Sequence, residues 1–376
     1  MTPSTARSVE RIHGDSLAVG PLAQGCKQCA RGEKLVLYVT GVCHWKCFYC
    51  PVSAARRNKD QLYANERRID PAAPDAVARV VDEARLIGAH GTGITGGDPM
   101  YAPERVVAYC RALKDAFGPR HHVHLYTQVD FDPAWLAKLK DAGLDEIRFH
   151  PPEEHWSDMD AGHHARLVPA ARKAGLVVGV EIPILPPMHE ETMALLRWCA
   201  ENGVRFVNVN ELEFSETNAR KLLARGFDYA SDDTNKVAGA EAAARRILLE
   251  SVGLRMPVHY CSSPFKDRIQ LAQRFRRRAE RVKRPHEIVT EEGTLLRGVV
   301  ECPDPRALRE SLRDDFDVPA DLAVVRKDRL EVAPWVLEKI AKRIPHPCFL
   351  SEVHPTDEEV EVERTPLNRA RSRPVP

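Results

Sequence analysis

Short apolar runs alternate with longer amphipathic stretches between Lys34 and Asn210 of the 376-residue chain. The apolar runs are rich in β-branched residues, as buried strands are, whereas the stretches between them repeat apolar positions at helical spacing. Strands that alternate with helices indicate right-handed crossovers and a parallel sheet. Six such units favour an incomplete (βα)6 barrel in an α/β fold, although an open sheet fits the pattern too. The predicted strands are Lys34–Thr40, Thr92–Thr95, His122–Thr127, Glu146–His150, Val177–Ile184 and Val204–Asn210, followed by a further one at Pro257–Ser262.

Several polar residues interrupt these strands at alternate positions. Arg148 and His150 share one face of their strand, as do Asn208 and Asn210, and Glu181 lies within an apolar strand. Because helices cover the outer face of such a sheet, we expect these side chains to face a wet or ligand-filled interior. The alternative is that they are core polar groups satisfied by one another.

The rest of the chain divides into segments of different character. Residues 1–33 form an N-terminal extension with a CX2C motif, and residues 34–285 contain the barrel and a trailing basic helix. We predict a small C-terminal α/β domain over residues 286–350. Residues 351–376 change from acidic to Arg- and Pro-rich without periodicity, so we predict a disordered tail there.

Composition excludes some classes of protein. With 43% hydrophobic and 29% charged residues the chain is an ordinary globular protein, and a net charge of +1 gives no global attraction to nucleic acid or membrane. No apolar stretch reaches the roughly 18 residues of a membrane span. Met1–Glu10 also lacks the apolar core of a signal peptide. We therefore predict a cytoplasmic protein without a membrane partner, whose thiols stay reduced.

Five of the ten cysteines fall between Cys26 and Cys50, and three of these form the motif CX3CX2C at Cys43, Cys47 and Cys50. Three thiolates at this spacing can ligate three irons of a [4Fe–4S] cluster and leave the fourth iron open. A structural zinc site usually has four ligands in two pairs, so zinc would need His44 or a distant residue as well. We favour the iron–sulfur cluster.

With these cysteines, Tyr49 before the last of them, and Gly96-Gly97-Asp98-Pro99 after the second strand, the chain resembles the radical S-adenosylmethionine (SAM) superfamily. The superfamily's segment is Gly-Gly-Glu-Pro, so Asp98 is a shortened carboxylate. The resemblance covers Lys34 to Asn210 and is nearest to the pyruvate formate-lyase activating enzymes and an uncharacterised, largely archaeal group related to them.

The resemblance implies a partial (βα)6 radical SAM barrel, a [4Fe–4S] cluster, SAM, and an electron donor such as ferredoxin or flavodoxin. It also implies reductive cleavage of SAM to a 5′-deoxyadenosyl radical that acts on an unknown substrate. An alternative within this class is a glycyl-radical-enzyme activase acting on a partner protein. The SAM-binding residues that the resemblance implies are Tyr49, Gly96, Gly97, Asp98, Thr127, Arg148, His150, Asn208 and Asn210.

A second metal site is predicted upstream of the barrel. Cys26 and Cys29 precede the first strand, and Cys261 with His259 lies in the run after the last one, so these residues could bind zinc or an auxiliary cluster. Cys302 and Cys348 are alternative ligands.

The helix predicted at Lys266–Arg284 carries nine basic residues against Asp267 and Glu280. We favour a solvated helix neutralised by the acidic C-terminal region. The alternative is a phosphate-contacting surface, as in an RNA-modifying or RNA-binding metalloprotein.

Overall fold

The structure is a computed structural model that describes residues 7–368, apart from the side chain of Asp267. The chain forms two compact units that divide between Leu271 and Ala272. The sequence placed this boundary after Pro285, because the basic helix was assigned to the barrel. In the structure the helix belongs to the second unit, where Ala279 packs with Leu295 and Val353.

The first unit contains eleven strands and eight α-helices among the described residues. The strands are β1 (Val9–Arg11), β2 (Leu17–Val19), β3 (Lys34–Tyr38), β4 (Leu62–Ala64), β5 (Arg67–Ile69), β6 (Gly91–Thr95), β7 (His122–Thr127), β8 (Glu146–Phe149), β9 (Val177–Pro183), β10 (Phe206–Asn210) and β11 (Val258–Cys261). The helices are α1 (Gln24–Ala30), α2 (Ala76–Leu86), α3 (Pro103–Phe117), α4 (Ala134–Asp141), α5 (His164–Lys173), α6 (His189–Glu201), α7 (Ala219–Leu223) and α8 (Ala240–Ser251), and a π-helical segment follows at Phe265–Leu271.

These strands form one sheet in the order β1-β2-β11-β10-β9-β8-β7-β6-β3-β4-β5. The central strands β3 and β6 to β11 are parallel, and a short antiparallel hairpin flanks them at each edge. The predicted partial parallel barrel is thus confirmed, with β11 as a seventh parallel strand. The two flanking hairpins were not predicted, because three-residue strands are too short to show an alternating pattern.

The strands alternate between two environments. Val207 and Val209 of β10 are fully buried in the core beneath the helices, whereas Asn208 and Asn210 point to the opposite, interior face. Helix α3 shows how the covering helices are bounded: Pro103 occupies its first turn, where no amide donor is needed, and Gly118 ends it with φ of 80°. The polar strand residues therefore line the inside of the barrel.

Over its described residues, up to Asn368, the second unit is an antiparallel sheet with three α-helices. Its helices are α9 (Ala272–Val282), α10 (Pro305–Phe316) and α11 (Pro334–Ile340). Its strands are β12 (Ile288–Val289), β13 (Leu295–Glu301), β14 (Ala323–Arg326), β15 (Arg329–Val332), β16 (Cys348–Val353) and β17 (Glu361–Pro366), in the order β14-β15-β13-β16-β17 with β12 paired to β13.

The predicted disorder of residues 351–376 is wrong over its first part, because β16 and β17 pair there. Every side chain of β17 is exposed, so its sequence lacks the apolar alternation that indicates a strand. Its backbone pairing with β16 is what orders it. The remainder of the predicted tail, residues 369–376, lies outside the described residues.

The acidic segment before β17 neutralises part of the basic helix. Arg274 and Arg278 of α9 are buried, and Arg278 donates to the Pro355 carbonyl and to Asp357 (2.7 Å). Arg284 pairs with Glu359 at 2.6 Å. These groups are therefore not displayed for phosphate binding, and the RNA-binding alternative gains no support from them. Across residues 7–368, none of the helices combines the length and apolar character needed to cross a bilayer.

Candidate active site

The three cysteines of the CX3CX2C motif lie on the long loop between β3 and β4. The base of this loop is closed by backbone hydrogen bonds from Gly41 to Lys59 (2.8 Å) and from Asn58 to Gly41 (2.8 Å). A Cβ on Gly41 would lie 1.9 Å from the carbonyl oxygen of Arg56, so only glycine fits there. The loop therefore leaves and re-enters the sheet at one fixed point.

Cys43, Cys47 and Cys50 all line one cavity of about 530 Å³ at the end of the barrel strands. Their thiols form no disulfide. Burial raises the pKa of Cys43 to about 11 and also raises the pKa of Cys47, so without a bound cation both groups stay protonated near neutral pH. Three thiols on one loop, facing one cavity, fit a cluster that takes three protein ligands.

The Gly96-Gly97 turn packs directly against the start of the cysteine loop. The Gly97 amide donates to the Thr40 carbonyl (2.7 Å), and the Asp98 amide donates to the Val42 carbonyl (2.9 Å). A Cβ on Gly96 would lie 2.4 Å from the Thr40 oxygen, and one on Gly97 would lie 2.5 Å from two carbonyl oxygens of the loop. Both glycines are thus required by close backbone contact, and both line the cavity.

Asp98 has a different environment from the one expected of a SAM ligand. Its carboxylate is buried and accepts hydrogen bonds from the amides of Met100 (2.9 Å), Gln128 (2.6 Å) and Val129 (3.2 Å) and from the Thr127 hydroxyl (2.9 Å). Burial raises its pKa, although these four donors oppose the shift. Asp98 and Thr127 therefore join the ends of β6 and β7 to each other.

Tyr49 and His150 form a second internal pair. The His150 Nδ1 lies 2.6 Å from the Glu181 carbonyl oxygen, which can only accept, so Nδ1 carries a proton. Burial lowers the pKa of His150, so the ring is neutral and its Nε2 accepts from the Tyr49 hydroxyl at 3.0 Å. Both residues line the cavity, but their polar atoms bind each other and the backbone.

Arg148, Asn208 and Asn210 meet at Glu181 inside the barrel. Arg148 Nη1 lies 2.9 Å from the Glu181 carboxylate, and the Asn208 and Asn210 amides donate to it at 2.9 and 3.0 Å. Arg148 Nε also donates to Glu146 at 2.6 Å. Burial alone would raise the pKa of Glu181, but the Arg148 charge and the two amides lower it to about 2.

The predicted SAM ligands on these strands are therefore close to the cavity, as expected, but largely satisfied by one another. The alternative interpretation, that they are core polar groups with internal partners, describes Arg148 best, since it is 1% exposed. Their direct contact with SAM stays a prediction.

The structure brings the second cysteine group to the same cavity. Cys26 and Cys29 of α1 and Cys261 and His259 of β11 all line it, as does Lys34. The alternative ligands Cys302 and Cys348 belong to the second unit and line no part of this cavity.

Three residues near the motif were missed by sequence reasoning. Gln128 accepts from the Cys47 thiol at 3.3 Å, and Asn218 donates to the Tyr49 carbonyl at 3.0 Å. Lys34 is buried at the start of β3 and lines the cavity. Only Lys34 left a signal, a charged residue opening an apolar strand, whereas Gln128 and Asn218 lie in loops without a pattern.

Fold and site together are typical of an iron–sulfur enzyme built on a partial parallel barrel, with a cysteine-rich loop after its first strand. The chain belongs to the radical SAM superfamily, and as such it is an enzyme that uses a [4Fe–4S] cluster and SAM. The model of that superfamily matches residues 37–209. A putative glycyl-radical enzyme activating enzyme of Methanocaldococcus jannaschii is 38% identical over 358 residues, which cover 92% of this chain and 93% of that protein.

Other similarities cover less. Residues 293–367 match a domain of unknown function, DUF8061. Among solved structures, methylornithine synthase is 17% identical with a TM-score of 0.40 and covers 57% of this chain and 61% of its own. SuiB of Streptococcus suis bound to S-adenosylmethionine is 14% identical with a TM-score of 0.40, over 63% of this chain and 53% of its own.

Proposed function

We propose that Cys43, Cys47 and Cys50 hold the [4Fe–4S] cluster and that the protein cleaves SAM reductively to act on a substrate held inside the barrel. The observation that carries this proposal is that the three thiols face the same cavity as the polar barrel interior. When bound, the reduced cluster supplies one electron to the SAM sulfonium, giving methionine and a 5′-deoxyadenosyl radical that takes a hydrogen atom from the substrate.

The residues of the chain have supporting roles in this proposal. The backbone of Gly96 and Gly97 reaches the cavity closely and offers carbonyl acceptors to the SAM ammonium group. Asp98 and Thr127 hold that backbone in place through their buried hydrogen bonds. Ferredoxin or flavodoxin is the kind of donor that supplies the electron.

A second, more specific candidate is a glycyl-radical-enzyme activase. It is favoured by the Methanocaldococcus jannaschii relative, a putative glycyl-radical enzyme activating enzyme that is 38% identical and matches nearly the whole of this chain. In this case the substrate is a glycine Cα–H of a partner protein, presented as a peptide segment to the cavity.

Anaerobic reconstitution with iron and sulfide, followed by reductant and SAM, tests the general proposal. We expect 5′-deoxyadenosine by mass spectrometry from the wild-type protein. The Cys43→Ala/Cys47→Ala/Cys50→Ala variant should give none and should lose the low-temperature paramagnetic signal of the reduced, SAM-bound cluster. A signal that survives unchanged in this variant would show that other residues hold the cluster.

The activase candidate is tested with a short glycine-containing peptide deuterated at the glycine α-carbon. Transfer of deuterium from the peptide into 5′-deoxyadenosine supports it. Formation of 5′-deoxyadenosine without any deuterium counts against peptide glycine as the substrate, while leaving the general proposal intact.

A further inference from the structure

Helix α1 packs against the barrel at the start of β6. The Gln28 side-chain amide donates to the His90 carbonyl at 2.9 Å, and a Cβ on Gly91 would lie 2.2 Å from Gln28 Oε1. A Cβ on Gly25 would lie 2.8 Å from Arg148 Nη2. Helix α1 therefore packs closely against Gly91, the first residue of β6, and against Arg148. Its residues Cys26 and Cys29 line the cavity.

A third thiol and an imidazole reach the same cavity from β11. His259 and Cys261 pair in register with Asn208 and Asn210 of β10. Residues in register share a face of the sheet, so both side chains point to the interior where these asparagines meet Glu181. Two segments far apart in the sequence thus supply three thiols and one imidazole to one space.

His259 is an unsatisfied group in this space. It is 5% exposed, and neither of its ring nitrogens has a hydrogen-bond partner among the described residues. Buried polar atoms without any partner are rare in native proteins, and a bound metal would satisfy this one.

The sulfurs of Cys26 and Cys29 are surrounded by N–H donors. The Asn208 amide lies 3.3 Å from Cys26 Sγ, Arg148 Nη1 lies 3.8 Å from the same sulfur, and the Lys34 ammonium donates to Cys29. Cationic and amide donors stabilise thiolates, and hydrogen bonds to ligating sulfurs are a regular feature of iron–sulfur sites.

The spacing of the ligand atoms does not match that of a zinc site. Tetrahedral zinc with Zn–S bonds of about 2.3 Å holds its ligand atoms about 4 Å apart. Within residues 7–368, the one group of three ligands whose atoms all lie within 4.8 Å of one another is His286, Glu287 and Glu331 in the second unit. Among these described residues, neither the sulfurs of Cys26, Cys29 and Cys261 nor those of Cys43, Cys47 and Cys50 form such a close group.

The group of His286, Glu287 and Glu331 is close enough in spacing, but its carboxylates already have cationic partners, so it is not a metal site. Glu331 already lies 3.3 Å from Arg297 and 2.7 Å from Arg329, and Glu287 lies 3.2 Å from Arg284. Three arginines balance the carboxylates there, so a cation would have to displace them.

We propose that Cys26, Cys29, Cys261 and His259 hold a second iron–sulfur cluster in the barrel interior between α1 and β11, separate from the cluster of Cys43, Cys47 and Cys50. The site forms only when α1 and β11 are both in place, and it faces the cavity in which a substrate would lie. This proposal does not depend on whether the enzyme cleaves SAM.

Iron and acid-labile sulfide in the full-length protein, reconstituted anaerobically, test the second cluster. We expect about eight iron atoms per wild-type chain and about four in the Cys43→Ala/Cys47→Ala/Cys50→Ala variant, with equal sulfide. Adding Cys26→Ala, Cys29→Ala and Cys261→Ala to that variant should remove the rest. A control variant carrying Cys110→Ala and Cys199→Ala, two buried thiols away from the cavity, should keep the wild-type content.

Three results would overturn the proposal. One is a content of about four iron atoms per wild-type chain. This measurement requires no substitution, so it does not depend on whether a variant folds. Another is zinc without sulfide in the first variant. The third is a metal-free protein with two fewer free thiols than expected, because this would mean that Cys26 and Cys29 form a disulfide. Circular dichroism of each variant separates metal loss from unfolding.

Discussion

Replacement of Asp98 by alanine should lower the stability of the first unit substantially. The substitution leaves the buried amides of Met100, Gln128 and Val129 and the Thr127 hydroxyl without their acceptor. A buried donor left unsatisfied costs about 1–3 kcal/mol. Because water from the adjacent cavity can reach part of the space, we expect a loss of about 3–6 kcal/mol for the four donors together.

The assay is chemical denaturation followed by circular dichroism, with SAM affinity measured on the reconstituted protein. Thr127→Val removes a single donor and should cost about 1 kcal/mol. Asp75→Ala, at an exposed ion pair with Arg79, should leave the free energy of unfolding almost unchanged. If Asp98→Ala leaves stability unchanged and abolishes SAM binding, the carboxylate acts on the cofactor and the positioning role is refuted.

Three further outcomes are expected. Gly41→Ala should reduce cluster content after reconstitution, because its Cβ would lie 1.9 Å from a carbonyl oxygen, whereas Gly253→Ala, which meets nothing within 4 Å, should not. The carboxyl of Glu181 has a pKa lowered from 4.5 to about 2, so it contributes stability above pH 4.5 that is lost as the pH falls toward 2. Glu181→Gln should lower the free energy of unfolding by about 3 kcal/mol at neutral pH. It should also flatten the pH dependence of the free energy of unfolding in this acidic range. Tyr49→Phe leaves His150 Nε2 without its donor and should cost about 1 kcal/mol, measured by thermal unfolding.

The barrel itself could be predicted from the sequence because its strands alternate regularly with amphipathic helices. His122–Thr127 was predicted with the bounds that β7 has, since Gly118 and Pro119 precede it and helical patterns lie on both sides. The hairpin β4–β5 could not be found because strands of three residues are too short to show a repeat, although Leu62, Ala64 and Ile69 are buried in the core. The strand β17 could not be found because all its side chains are exposed and its backbone pairing with β16 orders it. Sequence periodicity reports burial, so it misses elements held by backbone bonds alone.

For the site, the sequence predicted which residues face the barrel interior, but not which side chains they bind there. The polar residues of β8 and β10 do face the interior, because alternation along a strand fixes the face of each side chain. Their partners depend on neighbouring strands: Glu181 of β9 lies between Arg148 and the two asparagines and accepts from all three. Such tertiary contacts determine which side chain binds a cofactor and which binds a neighbouring side chain. They cannot be predicted from the local sequence pattern.

The pairing of β2 with β11 has a consequence for the order in which the protein is made. Leu17, Ala18 and Val19 pair with Tyr260, His259 and Val258, so the beginning and the end of the first unit are neighbours in one sheet. A ribosome adds about 5–20 residues per second, so a nascent chain carries Cys26 and Cys29 for about 10–50 s before Cys261 emerges. During this interval both thiols lack their protein surroundings and are open to oxidation or to capture of other metals. Rapid synthesis and an anaerobic cell would therefore favour correct assembly, and slow translation in air would favour a chain with its amino-terminal thiols already lost.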